Sequence, residues 1–194
     1  MRLFLLSPAY GGGKRARMLL EPRSAFATAQ ALAAGRLTLG EAYTFMSGLY
    51  FRGKLAYGAA FGESYVITPT RGLIPPDTIV TAPMLREFAA VDIDAGEGRY
   101  RRPLERDALA IAGRLADGDQ VVLLGSIASS KYVEILEAVF GPHLYFPRSF
   151  IGRGDMSRGG LLLRSARAGV EIDYAPLSLA TRRTGARPPK LGPV

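Results

Sequence analysis

The segment Arg153-Gly154-Asp155-Met156-Ser157-Arg158 sets two guanidinium groups around one carboxylate. Arg153 and Arg158, with the Ser157 hydroxyl between them, can clamp a phosphate while Asp155 moves a proton or reads a base edge. Capping of the following helix is the structural alternative for Asp155. Nearer the start, Ser7 leads into Gly11-Gly12-Gly13-Lys14-Arg15. Such a run lets the backbone at Gly12 approach an anion closely, with the cations Lys14 and Arg15 beside it. It is not a Walker loop, which needs Gly-x-x-x-x-Gly-Lys-Ser/Thr, and a plain strand-to-helix turn remains open. Gly125-Ser126 through Ser130-Lys131 offers hydroxyls and amides where a helix would begin, so Ser126 and Lys131 are anion candidates. Thr70 and Asp77 fall in the stiff stretch Thr68-Pro69-Thr70-Arg71-Gly72-Leu73-Ile74-Pro75-Pro76-Asp77, and Tyr50 and Arg52 can add a stacking face and a phosphate contact. Asp155 and Asp77 are the general acid/base candidates.

These residues need elements to bring them together. Four apolar runs, Leu3-Phe4-Leu5-Leu6, Tyr65-Val66-Ile67, Val121-Val122-Leu123-Leu124 and His143-Leu144-Tyr145-Phe146, each lead into one of the loops. Continuous apolar runs separated by helical stretches read as buried parallel strands. Parallel strands gather their following loops on one edge, where open α/β sheets bind ligands. The fold class is therefore α/β, a single domain over residues 1–180 with a largely parallel central sheet of about five strands flanked by helices. Residues 181–194 form a tail rich in Arg, Pro and Gly.

Helices are expected over Ser24 to Ala34, from Leu39 after the capping box Thr38-Leu39-Gly40-Glu41, and onward to Phe61 after a break at Ser47-Gly48. Pro83 to Ala90, Pro103 to Leu115, a helix capped by Ser129 or Ser130 and running through Phe140, and Asp155 to Ala168 complete the set, with Asp92 to Arg102 as a surface loop and Val170 to Tyr174 as a last strand.

Composition removes several chemistries. The chain has no Cys and one His, His143, so thiol catalysis, cysteine-bound zinc and multi-histidine metal sites are out. No metal or cofactor is expected, and His143 at a strand start reads as structural. No apolar run approaches the roughly 20 residues of a bilayer span, and the start is too short for a signal peptide. The expectation is a cytoplasmic protein without a membrane partner, its oligomeric state open. Twenty-five basic against 17 acidic residues leave a net charge of +8, and only Lys14, Lys54, Lys131 and Lys190 are lysines. An arginine-rich surplus suits polyanion partners; a high-GC coding bias toward arginine would leave the same balance.

Leu5-Leu6-Ser7-Pro8-Ala9, Met46-Ser47-Gly48-Leu49-Tyr50, Gly125-Ser126-Ile127-Ala128-Ser129-Ser130-Lys131-Tyr132 and Arg153-Gly154-Asp155-Met156-Ser157-Arg158 occur in that order. Together they resemble the YaaA family of bacterial peroxide-stress proteins, while Thr70 through Thr78 is similar to a related group of uncharacterised phage and bacterial domains. The resemblance implies an α/β core, DNA binding and a role in limiting oxidative DNA damage, with nucleobase chemistry within the range of the wider superfamily. The chain is shorter than typical YaaA proteins and carries Tyr10 where they have Lys after Ser-Pro-Ala. Two functions follow as expectations. The first is a nucleotide- or nucleic-acid-binding enzyme acting on a nucleobase or nucleoside, at the N-glycosidic bond or an exocyclic group. The second is a non-enzymatic DNA-binding stress protein that would use Arg182, Arg183 and Arg187.

Overall fold

The computed structural model describes residues 1–128 and 130–177. Expectations for the 181–194 tail, including Arg182, Arg183 and Arg187, and for Ser129, lie outside those residues. In chain order the elements are β1 (Arg2–Leu6), α1 (Lys14–Leu20), α2 (Ala27–Ala33), α3 (Leu39–Ser47), α4 (Leu49–Phe61), β2 (Glu63–Ile67), β3 (Leu73–Ile74) and α5 (Ala82–Ala89). There follow α6 (Gly98–Ala112), β4 (Gln120–Leu124), α7 (Ser130–Phe140), β5 (Leu144–Pro147), α8 (Asp155–Ala168) and β6 (Tyr174–Pro176).

The apolar runs do form a parallel core. The sheet order is β3-β2-β1-β4-β5-β6, with β2, β1, β4 and β5 parallel and the edge strands β3 and β6 antiparallel to their neighbours. Period-two alternation divides each strand between two layers. Phe4, Leu6, Val122 and Leu124 pack with α1 through α5 and α8, whereas Leu3, Leu5, Val121 and Leu123 face α6 and α7. The result is an α/β/α sandwich. No helix among the described residues is long and apolar enough to cross a membrane.

Local signals place several boundaries as the sequence reading expects. Thr38 Oγ1 accepts from the Glu41 amide at 3.3 Å while Glu41 accepts from the Thr38 amide at 2.9 Å, a complete capping box. Thr38→Ala should cost about 1 kcal/mol, read as a lower midpoint in urea unfolding. Gly48 separates α3 from α4 at φ +66°, a conformation that side-chain-bearing residues adopt with strain.

Other expectations need correction. The Asp92 to Arg102 loop is helical from Gly98, because Glu97 accepts from the Arg99 amide at 3.0 Å and Tyr100 is fully buried as an anchor. The glycine loop ends at Gly13, so Lys14 and Arg15 ride the first turn of α1. The last strand runs Tyr174–Pro176 rather than Val170 to Tyr174, pairing antiparallel with β5. Asp77 does not join the loops at the strand ends. The antiparallel strand β3 carries the chain back down the sheet, and the Pro75-Pro76 segment packs beside the start of α3, where the Gly40 amide donates to the Pro76 carbonyl at 2.8 Å.

Helices α4 and α8 approach to backbone contact. A Cβ added at Gly159 would lie 2.6 Å from the Leu49 carbonyl oxygen, and one at Gly53 would lie 2.6 Å from the Gly159 carbonyl oxygen. Two backbones in contact bring the first turns of α4 and α8 together above the sheet.

Candidate functional site

The chain leaves β1 toward β2 on one side, while β4 lies on the other, so the gap beyond the ends of β1 and β4 is a topological switch point. Side chains from six separate stretches of the chain converge there. Ser7-Pro8-Ala9-Tyr10, the turn after β1, divides the opening into two lobes. One, of about 330 Å³, is lined by Ser7, Tyr50, Lys54, Ser126, Tyr132 and Asp155 among others. The other, of about 550 Å³, lies between that turn, α5, the 91–94 segment and α7, with Phe88, Val91, Ile93, Asp92, Asp94 and Lys131 on its walls.

Lys54 forms the floor of the smaller lobe and is only 1% exposed. Its Nζ donates to the Ser7 carbonyl at 2.7 Å and lies 3.0 Å from Ser7 Oγ. The same nitrogen sits 4.4 Å from the centroid of the Tyr50 ring and 4.8 Å from that of Phe51. Burial pushes the ammonium down to about 7; the Asp155 carboxylate pulls it back up and the Arg158 guanidinium lowers it further. Near neutral pH the amine is thus available in its basic form. A purely structural amine could tie α4 to β1, but it would have no need of a cleft above it.

Around this pair are two buried phenols. The Tyr50 hydroxyl has no hydrogen-bond acceptor among the described residues; burial raises its pKa well above the ordinary phenol value, against the neighbouring Arg158 guanidinium, which lowers it through its charge and a hydrogen bond, so it stays a donor. Tyr132 accepts from the Ser126 amide and donates to the Ser126 carbonyl, both at 3.0 Å. Burial raises its pKa, opposed by hydrogen bonding from Ser7 and from the Ser126 backbone.

The residues expected from sequence divide into those the fold brings together and those it does not. Ser7, Tyr50, Ser126 and Asp155 line the smaller lobe, and Ser7, Gly12 and Lys131 line the larger. Arg153 and Arg158 do not clamp the opening. Arg153 donates to the Ser149 carbonyl at 2.9 Å and to Ser157 Oγ at 3.3 Å, and Arg158 donates twice to the Phe150 carbonyl while its Nη1 stays 3.6 Å from Asp155. Arg15 donates to the Phe45 carbonyl at 3.3 Å, fastening α1 to α3, and Lys14 is exposed beside it. Thr70 donates to Glu87, which also pairs with Arg71. Arg52 points into a separate groove of about 590 Å³ between α2, α3 and α4. His143 bonds the Asp119 carbonyl at 2.9 Å, at the opposite edge of the sheet.

Sequence reasoning missed Lys54, Tyr132, Asp92 and Asp94. Lys54 gives a signal only through its register on α4: it stands one helical turn after Tyr50 and among apolar residues, so it is carried inward with them. Asp92 and Asp94 sit in a polar stretch that reads as solvent-exposed until the sheet places it beside the opening. No family model, no curated protein and no solved structure matches this chain.

Proposed function

We propose that the protein is an enzyme that binds a nucleoside or nucleotide in the two-lobed cleft and acts on its base, at the N-glycosidic bond or at an exocyclic group. The observation that carries this reading is the buried Lys54 amine held against Ser7 at the floor of a cleft. Burying an ionisable amine is costly and is characteristic of catalytic machinery rather than of a backbone-binding surface. The larger lobe falls in the size range of small-molecule sites, roughly 300–1,000 Å³. Its apolar wall of Phe88, Val91 and Ile93 suits a planar base, and Asp92 and Asp94 can accept from sugar hydroxyls or base amines. Asp155, exposed at the start of α8, stands ready to exchange protons with a bound ligand.

The alternative, a DNA-binding protein without catalysis, has less support. It needs an extended face of unpaired cations, yet Arg71, Arg99, Arg101 and Arg106 are each ion-paired to a carboxylate, and Arg153 and Arg158 turn inward. Mass spectrometry of small molecules released from the purified protein, followed by calorimetric titration with a nucleoside and nucleotide panel, tests the proposal. At least one member should bind, Asp155→Asn should retain that binding, and turnover should be lost. Tight binding of duplex DNA with no response to any nucleoside would refute it in favour of the alternative.

A further inference from the structure

We propose that Ser7 and Lys54 form a nucleophile–base pair for acyl transfer, with the Tyr50 hydroxyl as the donor that receives the developing oxyanion. The proposal rests on the cleft being catalytic and narrows its chemistry to a small ester or amide, such as an acyl group carried on an exocyclic nitrogen or oxygen of the ligand.

Three parts are required for attack by a serine on a carbonyl: a nucleophilic oxygen, a base within hydrogen-bond reach, and a preorganised donor for the oxyanion. The smaller lobe supplies all three. Ser7 Oγ lies 3.0 Å from Lys54 Nζ, and Ser7 borders both lobes, so a group bound in the larger one has direct access to it. Lys54 Nζ donates to the Ser7 carbonyl and, as an ammonium, to Ser7 Oγ; once deprotonated it can keep the carbonyl bond and turn its lone pair toward Oγ. Tyr50 is 6% exposed, lines the same lobe, and holds a hydroxyl whose proton has no acceptor among the described residues, the neighbouring Arg158 guanidinium being itself a donor. A buried donor left unsatisfied costs stability, and a ligand oxygen would satisfy it.

Competing chemistries fit less well. Glycosidic displacement uses two carboxylates flanking the bond, whereas Asp155 is the one carboxylate among the described residues lining the smaller lobe. Phosphoryl transfer needs cations on the transferring group, and here Arg153 and Arg158 are directed at backbone carbonyls.

The step balances without a further reagent. The Oγ–C bond forms as the Ser7 proton passes to Lys54 Nζ, and the carbonyl electron pair moves onto oxygen beside the Tyr50 hydroxyl. Collapse breaks the bond to the leaving oxygen or nitrogen, which takes the proton from Lys54. Water then attacks the acyl-serine, again losing its proton to Lys54, and Ser7 is regenerated. The charged and titratable groups facing the amine are Tyr50 on α4, Tyr132 on α7, and Asp155 and Arg158 on α8.

A fluorophosphonate probe, which phosphonylates activated serines with loss of fluoride, tests this on the full chain with no nucleoside present. Peptide mapping should find one adduct, on Ser7, and none in Ser7→Ala. Labelling should slow about 100-fold in Lys54→Met and about 10-fold or more in Tyr50→Phe, with both variants checked for folding by circular dichroism. The parent rate should rise with pH through a midpoint near that of Lys54, about 7, and the rise should vanish in Lys54→Met. Should Lys54→Met not fold, the parent pH profile and Tyr50→Phe still decide. An adduct elsewhere, no adduct on a folded parent, or a flat profile would overturn the acyl-transfer step. Such a result leaves nucleoside binding to be judged by calorimetry, so the two failures are distinguishable.

Discussion

Lys54→Met is expected to unfold at a higher temperature than its parent at pH 7 and to label at Ser7 about 100-fold more slowly. The sign follows from linkage. Burial takes the amine from its ordinary 10.5 down to about 7, so between those values the unfolded chain holds a proton that the folded chain has released. Stability then rises with pH across that window, and it is lost as pH falls back toward 7. The gap corresponds to roughly 5 kcal/mol of penalty once the amine is ionised, less about 1–2 kcal/mol for its hydrogen bond to the Ser7 carbonyl. Methionine fills the same volume without a charge, so a net gain of about 3 kcal/mol is expected below pH 7, shrinking to nothing or reversing by pH 10. Urea unfolding of both proteins from pH 6 to 10 checks this, and parallel pH profiles would show that Lys54 carries no such penalty. A residue that lowers stability and lies at the floor of a cleft is retained for what it does.

Gly159→Ala is expected to have the opposite effect, destabilising by about 3 kcal/mol. Helix propensity alone favours alanine at an interior helical position by about 1 kcal/mol. Here the added Cβ would meet the Leu49 carbonyl oxygen at 2.6 Å and the Tyr50 Cα at 2.8 Å, and both are backbone atoms that cannot rotate away. Relief requires α8 to withdraw from α4, which separates Tyr50 and Lys54 from Asp155 and Arg158 and opens the smaller lobe. Loss of serine labelling should therefore accompany the lowered unfolding midpoint. Gly113→Ala is the control: at φ −64°, with its nearest Cβ contact at 3.6 Å, it should be neutral or stabilise by about 0.5 kcal/mol. Equal effects at the two glycines would mean that the α4–α8 contact is not what holds the site together.

The local signals and the tertiary ones differ in kind. Apolar runs such as Leu3 to Leu6 and Val121 to Leu124, the Thr38–Glu41 box and the Gly48 break act over a few residues, so they are legible along the chain and they yield the α/β class and most helix boundaries. That Ser7, Ser126 and Asp155 share one edge was legible because parallel strands deliver their C-terminal loops there, whereas Tyr50 reaches the same cleft from α4. The direction of a two-residue edge strand is not written in such patterns. Because β3 runs antiparallel to β2, Asp77 is carried away from that edge and excluded from the cleft.

A layered α/β protein whose polar loops collect at the strand ends follows from the order of residue types along the chain. Which polar groups face inward there follows from packing. Arginine forks that look free in one dimension found backbone carbonyls within reach, while one of four lysines, carried on an apolar helix face pressed against α8, was buried beside a serine. That outcome depends on the contact of two glycines, Gly53 and Gly159, roughly a hundred residues apart in sequence, and burial of this kind is a property of three-dimensional neighbours rather than of any local pattern.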